Sequence, residues 1–360
     1  MKQDVFSRQD LVRRFREEYP AEHALWLGLG GCRVEVRTNS ETLLDELVEY
    51  FAPFLTDRCD RDILITAHQS PVWNLPVCYT EKEPEPGKTK IKEEYADLRD
   101  GRIVRKKLTG MVFVFGGGDN LAIGPCTANP NQVVNFVNNR FIEWRLNRGG
   151  LLGHAAGITH RGVGLALAGF SGMGKSTLAL KLMSRGTTFV SNDRLIVTQG
   201  LGGPRMIGVA KHPRINPGTA LNNPDLACVI DPADKERFER LPAEALWDLE
   251  HKYDALIEEC FGAERFVLSA AMHGLAILNW RRGETGFSVH RVDPRKRPDL
   301  LSAFRKETGL FFLPENGYAE PGPERYAKFL SQVAVLEISG GIDFDRAADH
   351  CLDFLQTGTL

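Results

Sequence analysis

Gly169, Gly174, Lys175 and Ser176 stand in the spacing G-x-x-x-x-G-K-[ST], with Phe170, Ser171, Gly172 and Met173 between them. That spacing suits a polyphosphate. Glycines let the backbone turn so that the N–H groups of Ser171, Gly172, Met173, Gly174, Lys175, Ser176 and Thr177 face phosphate oxygens. The lysine neutralises charge, and the adjoining hydroxyl of Ser176 ligates magnesium. Seventeen residues past the lysine the chain reads Asn192-Asp193. The run "TTFVSND" predicts a short strand beside the phosphate-loop strand, with Asp193 at its C-terminal end, where a carboxylate reaches magnesium or an attacking hydroxyl. Lys211, His212 and Arg214 lie close together in "GVAKHPRINPGTAL", a proline- and glycine-rich loop suited to holding substrate or phosphate.

The elements needed to position these groups are visible in the pattern. "GVGLALA" is an apolar strand leading into the glycine-rich turn, and "STLALKLM" is a helix whose N-terminal dipole faces the bound anion. Upstream, "HALWLGLGGCRVEVRTN" reads as two strands around a turn. "SETLLDELVEYFAPFL" reads as a helix capped by Ser40 and stopped by Pro53, "DILITAH" as a strand and "GMVFVFGGGDNLAIGPC" as a hairpin. Residues 79–102 are charged and read as an exposed loop or hairpin excursion. A long helix through "NPNQVVNFVNNRFIEWRLNRGG" ends in glycines, which places a domain boundary near residue 150. Later expectations are a helix at 243–260, strands at 274–280 and 333–338, a closing helix at 344–356, and a solvated basic face at 281–306. The result is an α+β domain over 1–150, suited to partner or substrate selection, followed by an α/β domain over 151–360.

Composition removes several function classes. The 360 residues carry 45 Lys and Arg against 47 Asp and Glu, a net charge of -2, so no global field draws the chain to nucleic acid or anionic lipid. Seven scattered cysteines without a C-x-x-C pair argue for reduced thiols and a cytoplasmic setting. No apolar run approaches a membrane span, and the first twenty residues form an amphipathic helix rather than a signal peptide. His160, His212, His273, His290 and His350 show no metal-ligand spacing.

His154 in "LLGHAAGI", the phosphate loop at 169–176 and "RGTTFVSNDRLIV" together resemble the catalytic domain of HPr kinase/phosphorylase, in which "HG", a phosphate loop and "DD" follow in this order. The resemblance covers residues 150–200. The earlier "VEVRTNSETLLDELVEYFAPFL" and "KHPRINPGTAL" at 211–221 resemble the HPr-kinase-related kinase B proteins more closely. The resemblance implies a phosphoenolpyruvate-carboxykinase-like mixed sheet with flanking helices, ATP or GTP with Mg2+, and transfer to a hydroxyl of a protein or small-molecule acceptor. It implies Asp193 as proton acceptor and metal ligand, His154 as the group that orients Asp193 or the substrate, and Lys175 on the β- and γ-phosphates. Asn192, Lys211 and Arg214 are candidates for substrate contact. Two departures stand out: Asn192 replaces the first acid of the pair, and Ala155 replaces the glycine. A nucleotide-binding regulatory protein with a degenerate active site therefore stays open as the alternative, as does assembly into a homo-oligomer. A motor-type ATPase is the poorer third reading, because no second acid flanks Asp193.

Overall fold

The computed structural model describes residues 7–84, 89–242, 245, 246, 249, 251–315 and 317–358. They form two compact units, Met1–Asn147 with Thr308–Tyr318, and Arg148–Glu307 with Ala319–Leu360. The chain thus returns to the first unit at Thr308–Tyr318, a stretch that a division at residue 150 leaves in the second.

The described residues of the first unit form eight strands: β1 (His23–Leu29), β2 (Cys32–Thr38), β3 (Ile63–Gln69), β4 (Thr80–Glu81), β5 (Glu93–Leu98), β6 (Gly101–Lys106), β7 (Val112–Gly116) and β8 (Asp119–Gly124). They pair in the order β1-β2-β3-β8-β7-β6-β5-β4, parallel at β2/β3 and β3/β8 and antiparallel elsewhere. The charged excursion at 79–102 is therefore a sheet hairpin in its described part, and residues 85–88 lie outside the described residues. Side-chain alternation covers both faces. Val112 and Val114 pack with Leu11, Val12 and Phe15 of helix α1 (Arg8–Glu18), while Phe113 and Phe115 meet Phe136 of helix α3 (Pro130–Leu146). Helix α2 (Glu41–Tyr50) starts where Ser40 Oγ accepts from the Leu43 N–H, the expected cap.

Phe311 explains why Thr308–Tyr318 belongs here. Its ring lies 5.4 Å from Phe113 and 5.7 Å from Phe115, and its carbonyl accepts from the fully buried Arg140 guanidinium.

Among the described residues of the second unit, twelve strands follow in chain order: β9 (Leu151–Gly153), β10 (Ala155–His160), β11 (Val163–Gly169), β12 (Thr188–Ser191), β13 (Leu195–Gly200), β14 (Gly203–Ile207), β15 (Arg214–Ile215), β16 (Tyr253–Asp254), β17 (Ser269–Ala271), β18 (Gly274–Arg281), β19 (Phe287–Arg291) and β20 (Ala334–Gly341). A mixed six-stranded sheet runs β12-β10-β11-β18-β20-β19, and a four-stranded sheet runs β17-β14-β13-β9. Strand β11 is buried on both sides. Leu165 and Leu167 pack against helix α4 (Lys175–Met183) and the closing helix Phe344–Thr357, and Ala166 and Ala168 face the core shared with the second sheet. The two sheets come close at Gly208, where a Cβ would lie 1.8 Å from the Val190 carbonyl oxygen, so only glycine fits.

The helix expected at 243–260 is not formed as one element. Residues 243, 244, 247, 248 and 250 lie outside the described residues, and the remainder holds β16 and a short helix, Ile257–Phe261. Strand β16 forms because Tyr253 and Asp254 find ladder partners in Ile215 and Arg214, which outweighs the local helical period. No described helix is long and apolar enough to cross a membrane.

Candidate functional site

Strand β11 delivers Gly169 to the edge of the sheet, the loop Phe170–Gly174 follows, and α4 begins at Lys175. Gly174 is essential to the turn on two counts. Its φ is +83°, and a Cβ there would lie 2.5 Å from the Phe344 ring. Behind it, Trp280 packs edge-on to Phe344 and its indole N–H donates to the Met173 carbonyl at 3.0 Å. The Met173 N–H donates to the Phe170 carbonyl at 3.2 Å, so Met173 closes the loop from within. Lys175 is 8% exposed, and its Nζ donates to the carbonyls of Gly169 (2.7 Å) and Phe170 (3.3 Å). Burial pulls the Lys175 amine down to about 8, with Asp193 pushing the other way.

The acid arrives from a different strand position than the sequence suggests. Strand β12 pairs antiparallel with β10, and β10 with β11, so Asp193 follows a strand one place removed from the strand that leads into the glycine-rich loop. The intervening β10 starts immediately after His154, which brings the two groups together. His154 Nε2 lies 3.5 Å from Asp193 Oδ1. The His154 backbone N–H donates to the Phe304 carbonyl at 2.6 Å, fixing the residue at the strand entrance.

Lys306 completes the cluster. Its Nζ is 3.3 Å from Asp193 Oδ2 and 3.3 Å from His154 Nδ1. Burial, then the charges of Lys175 and Lys306, hold His154 down to about 4 despite Asp193, so the ring is neutral near pH 7. An ammonium only donates, which makes Nδ1 the acceptor and leaves the proton on Nε2, facing Asp193. Burial raises the Asp193 carboxyl, but Lys306, by its charge and its hydrogen bond, with a further contribution from the Arg194 charge, overcomes it and holds it below the usual aspartate range. Asp193 keeps half of its side chain exposed while accepting these contacts.

Loop and acid share one cavity of about 700 Å³. Ser171, Gly172, Gly174, Lys175, Ser176 and Thr177 line it, as do His154, Asn192, Asp193, Lys211 and Arg214; Gly169 and Met173 stand behind the lining. Thr177 Oγ1 is 3.2 Å from Thr219 Oγ1. Arg214 pairs with Asp254 at 3.4 Å across the β15/β16 ladder. His212 is 5% exposed, and its Nδ1 accepts from the Ile257 N–H at 3.2 Å, so it anchors the loop. Asn192 Oδ1 is buried and has no hydrogen-bond partner among the described residues.

The basic segment 281–306 is not simply a solvated face. Arg282 lines the cavity, Arg297 pairs with Asp299 and Glu337, and Lys306 holds Asp193. Lys306 gave no signal in the sequence because 113 positions separate it from Asp193 and no motif spacing connects them.

No protein-family model matches the chain, and no curated protein matches it. Among solved structures the chain is similar to the HPr(Ser) kinase/phosphatase from Coxiella burnetii, at 13% identity and a TM-score of 0.30, over 56% of this chain and 97% of that one. A likeness this slight transfers neither fold detail nor activity.

Proposed function

We propose that the second unit is an HPr-kinase-like, ATP- or GTP-dependent phosphotransferase with a phosphoenolpyruvate-carboxykinase-like core, acting on a hydroxyl. The observation that supports this most is the position of Asp193, held by His154 and Lys306 in the cavity that the glycine-rich loop lines. A structural ion pair would not need a loop shaped for phosphate beside it.

The loop amides and Lys175 bind the β- and γ-phosphates. The residues fit magnesium as well: the Ser176 hydroxyl and the Asp193 carboxylate line the same cavity, and the unpartnered Asn192 oxygen can accept from a metal-bound water. Bound there, magnesium would neutralise charge developing on the phosphate oxygens. Asp193, ionised at neutral pH, accepts the acceptor hydroxyl's proton as its oxygen bonds to the γ-phosphorus. The bond from that phosphorus to the β-phosphate oxygen breaks, and its electron pair leaves with the nucleoside diphosphate. His154, whose Nε2 lies 3.5 Å from Oδ1, faces that oxygen, so that Oδ2 takes the proton once Lys306 yields its contact.

Single-turnover transfer of label from the γ-position of ATP into fractions of a cell extract tests the reading. Label in a protein or a metabolite sustains it, and release of free phosphate alone or no turnover rejects it. The second reading, a nucleotide-responsive regulatory protein, draws on the neutral Asn192 at a position where the resembled family has an acid.

A further inference from the structure

The charge lining the cavity is lopsided. Lys175, Arg194, Lys211, Arg214, Lys252 and Arg282 line it, and Asp193 is the one carboxylate among its described lining residues. Lys175 lies within the phosphate loop, but Lys211, Arg214 and Lys252 come from a different part of the chain, the loop and two-stranded ladder after β14. The loop that carries Lys211 and leads into Arg214 is anchored by its backbone and by His212. The Lys211 N–H donates to the Val209 carbonyl at 2.7 Å, Pro213 accepts from Ala255 at 2.9 Å, and the buried His212 ties the loop to the Ile257 N–H.

Cations held together in a recess repel one another. Burial lowers the Lys211 amine, the charges of Arg194 and Arg214 lower it further, and Asp193 and Asp254 offset part of the effect. Such crowding is relieved when an anion enters. A magnesium nucleotide on the phosphate loop takes up only part of the positive charge, and Lys211 also lies close enough to Asp193 to feel its charge.

We infer that the phosphoryl acceptor is a small hydroxylated anion, a phosphate- or carboxylate-bearing metabolite whose charged group is held by Lys211, Arg214 and Lys252 while its hydroxyl faces Asp193. This rests on the phosphotransferase reading. Arg214 offers planar, two-pronged contacts to phosphate or carboxylate oxygens, and its Nε lies 3.4 Å from Asp254, which leaves the terminal nitrogens for such contacts. The anion brings the negative charge that this predominantly cationic lining favours and that a neutral polyol lacks. The reaction class feeding such a site is one that leaves a free hydroxyl on an already anionic carbon skeleton.

The test uses the full chain saturated with a non-hydrolysable magnesium nucleotide. Glycerol 3-phosphate and glycerate are titrated by calorimetry, with glycerol as the neutral control and a serine-containing acidic peptide as the macromolecular one. The two small anions should bind alongside the nucleotide and glycerol should not. Lys211→Gln should weaken the anions by about tenfold, leaving nucleotide affinity within about threefold. Lys252→Gln, at an exposed position, should weaken them in the same direction and keeps the test open if Lys211→Gln fails to fold. Competition between these anions and the nucleotide, or preference for glycerol or the peptide, overturns the inference. In the transfer assay, label in a small anionic metabolite supports it, and label in a protein overturns it while leaving the phosphotransferase reading intact. Anions that bind beside nucleotide with no transfer to any fraction overturn the acceptor role by removing the phosphotransferase reading itself.

Discussion

Lys306 Nζ and Asp193 Oδ2 lie 3.3 Å apart, and the same Nζ is 3.3 Å from His154 Nδ1. One ammonium therefore sets two properties at once: the ionisation of the acid and the tautomer of the imidazole. Replacing it by a neutral side chain changes both in a known direction.

Lys306→Met should raise the pKa of Asp193, because the charge that holds the carboxyl low is gone. A proton acceptor works above its pKa, so the acidic limb of the pH profile of transfer should move upward, by an amount that solvent at the half-exposed carboxylate moderates. Lys306→Arg should restore the limb. A limb unmoved in Lys306→Met would show that Asp193 is not the titrating base.

Lys175 carries its own pH dependence. Its amine is pulled down to about 8, so close to half of it is neutral at that pH, and phosphate binds the protonated form. Nucleotide binding near pH 8 should take up protons, and affinity should fall by up to about tenfold per unit above it. Calorimetry in buffers of different ionisation enthalpy measures the uptake directly. Zero uptake from pH 7.5 to 9, or an unchanged melting shift with nucleotide in Lys175→Ala, would place the phosphates elsewhere.

The sequence exposes those parts of the site that one short stretch encodes. Gly169 to Ser176 forms the loop, Ser40 caps its helix, and β18, β20 and the closing helix lie where apolar periodicity puts them. What it conceals depends on contacts between distant residues. The order β12-β10-β11 arises from pairing, which no local pattern records, and Lys306 reaches Asp193 only because Phe304 caps the His154 backbone from the preceding helix end. Phe311 likewise has no local signal, because its place is set by ring contacts with Phe113 and Phe115, about two hundred positions earlier in the chain.

Phe311→Ala should loosen the first unit. Removing a partly buried aromatic ring costs about 2–3 kcal/mol, toward the low end for such truncations because Phe311 is not fully enclosed. Hydrogen exchange of the amides in Val112–Gly116 should accelerate by roughly thirtyfold or more. If those amides keep their protection while Thr308–Tyr318 exchanges freely, the segment is a passenger on the unit rather than part of its core.

Asp193→Asn separates proton transfer from metal binding. The amide keeps an oxygen and the side-chain volume but cannot take the proton. As the proton acceptor, Asp193→Asn should leave nucleotide affinity within a few fold and cut transfer by roughly 10² to 10⁴. Affinity and rate that fall together would instead assign the carboxylate to magnesium. Asn192→Asp places a second carboxylate beside the first, where each raises the other's pKa and both attract magnesium. The Asn192 oxygen is buried without a partner among the described residues, so the new charge is desolvated and depends on the metal for compensation. Nucleotide binding by Asn192→Asp should therefore become more magnesium-dependent than in the wild type, measured as the ratio of affinities with and without the ion. An unchanged ratio would mean that the side chain contacts the acceptor instead. If wild type and both variants bind nucleotide yet transfer to nothing, the cavity serves a nucleotide-responsive regulator.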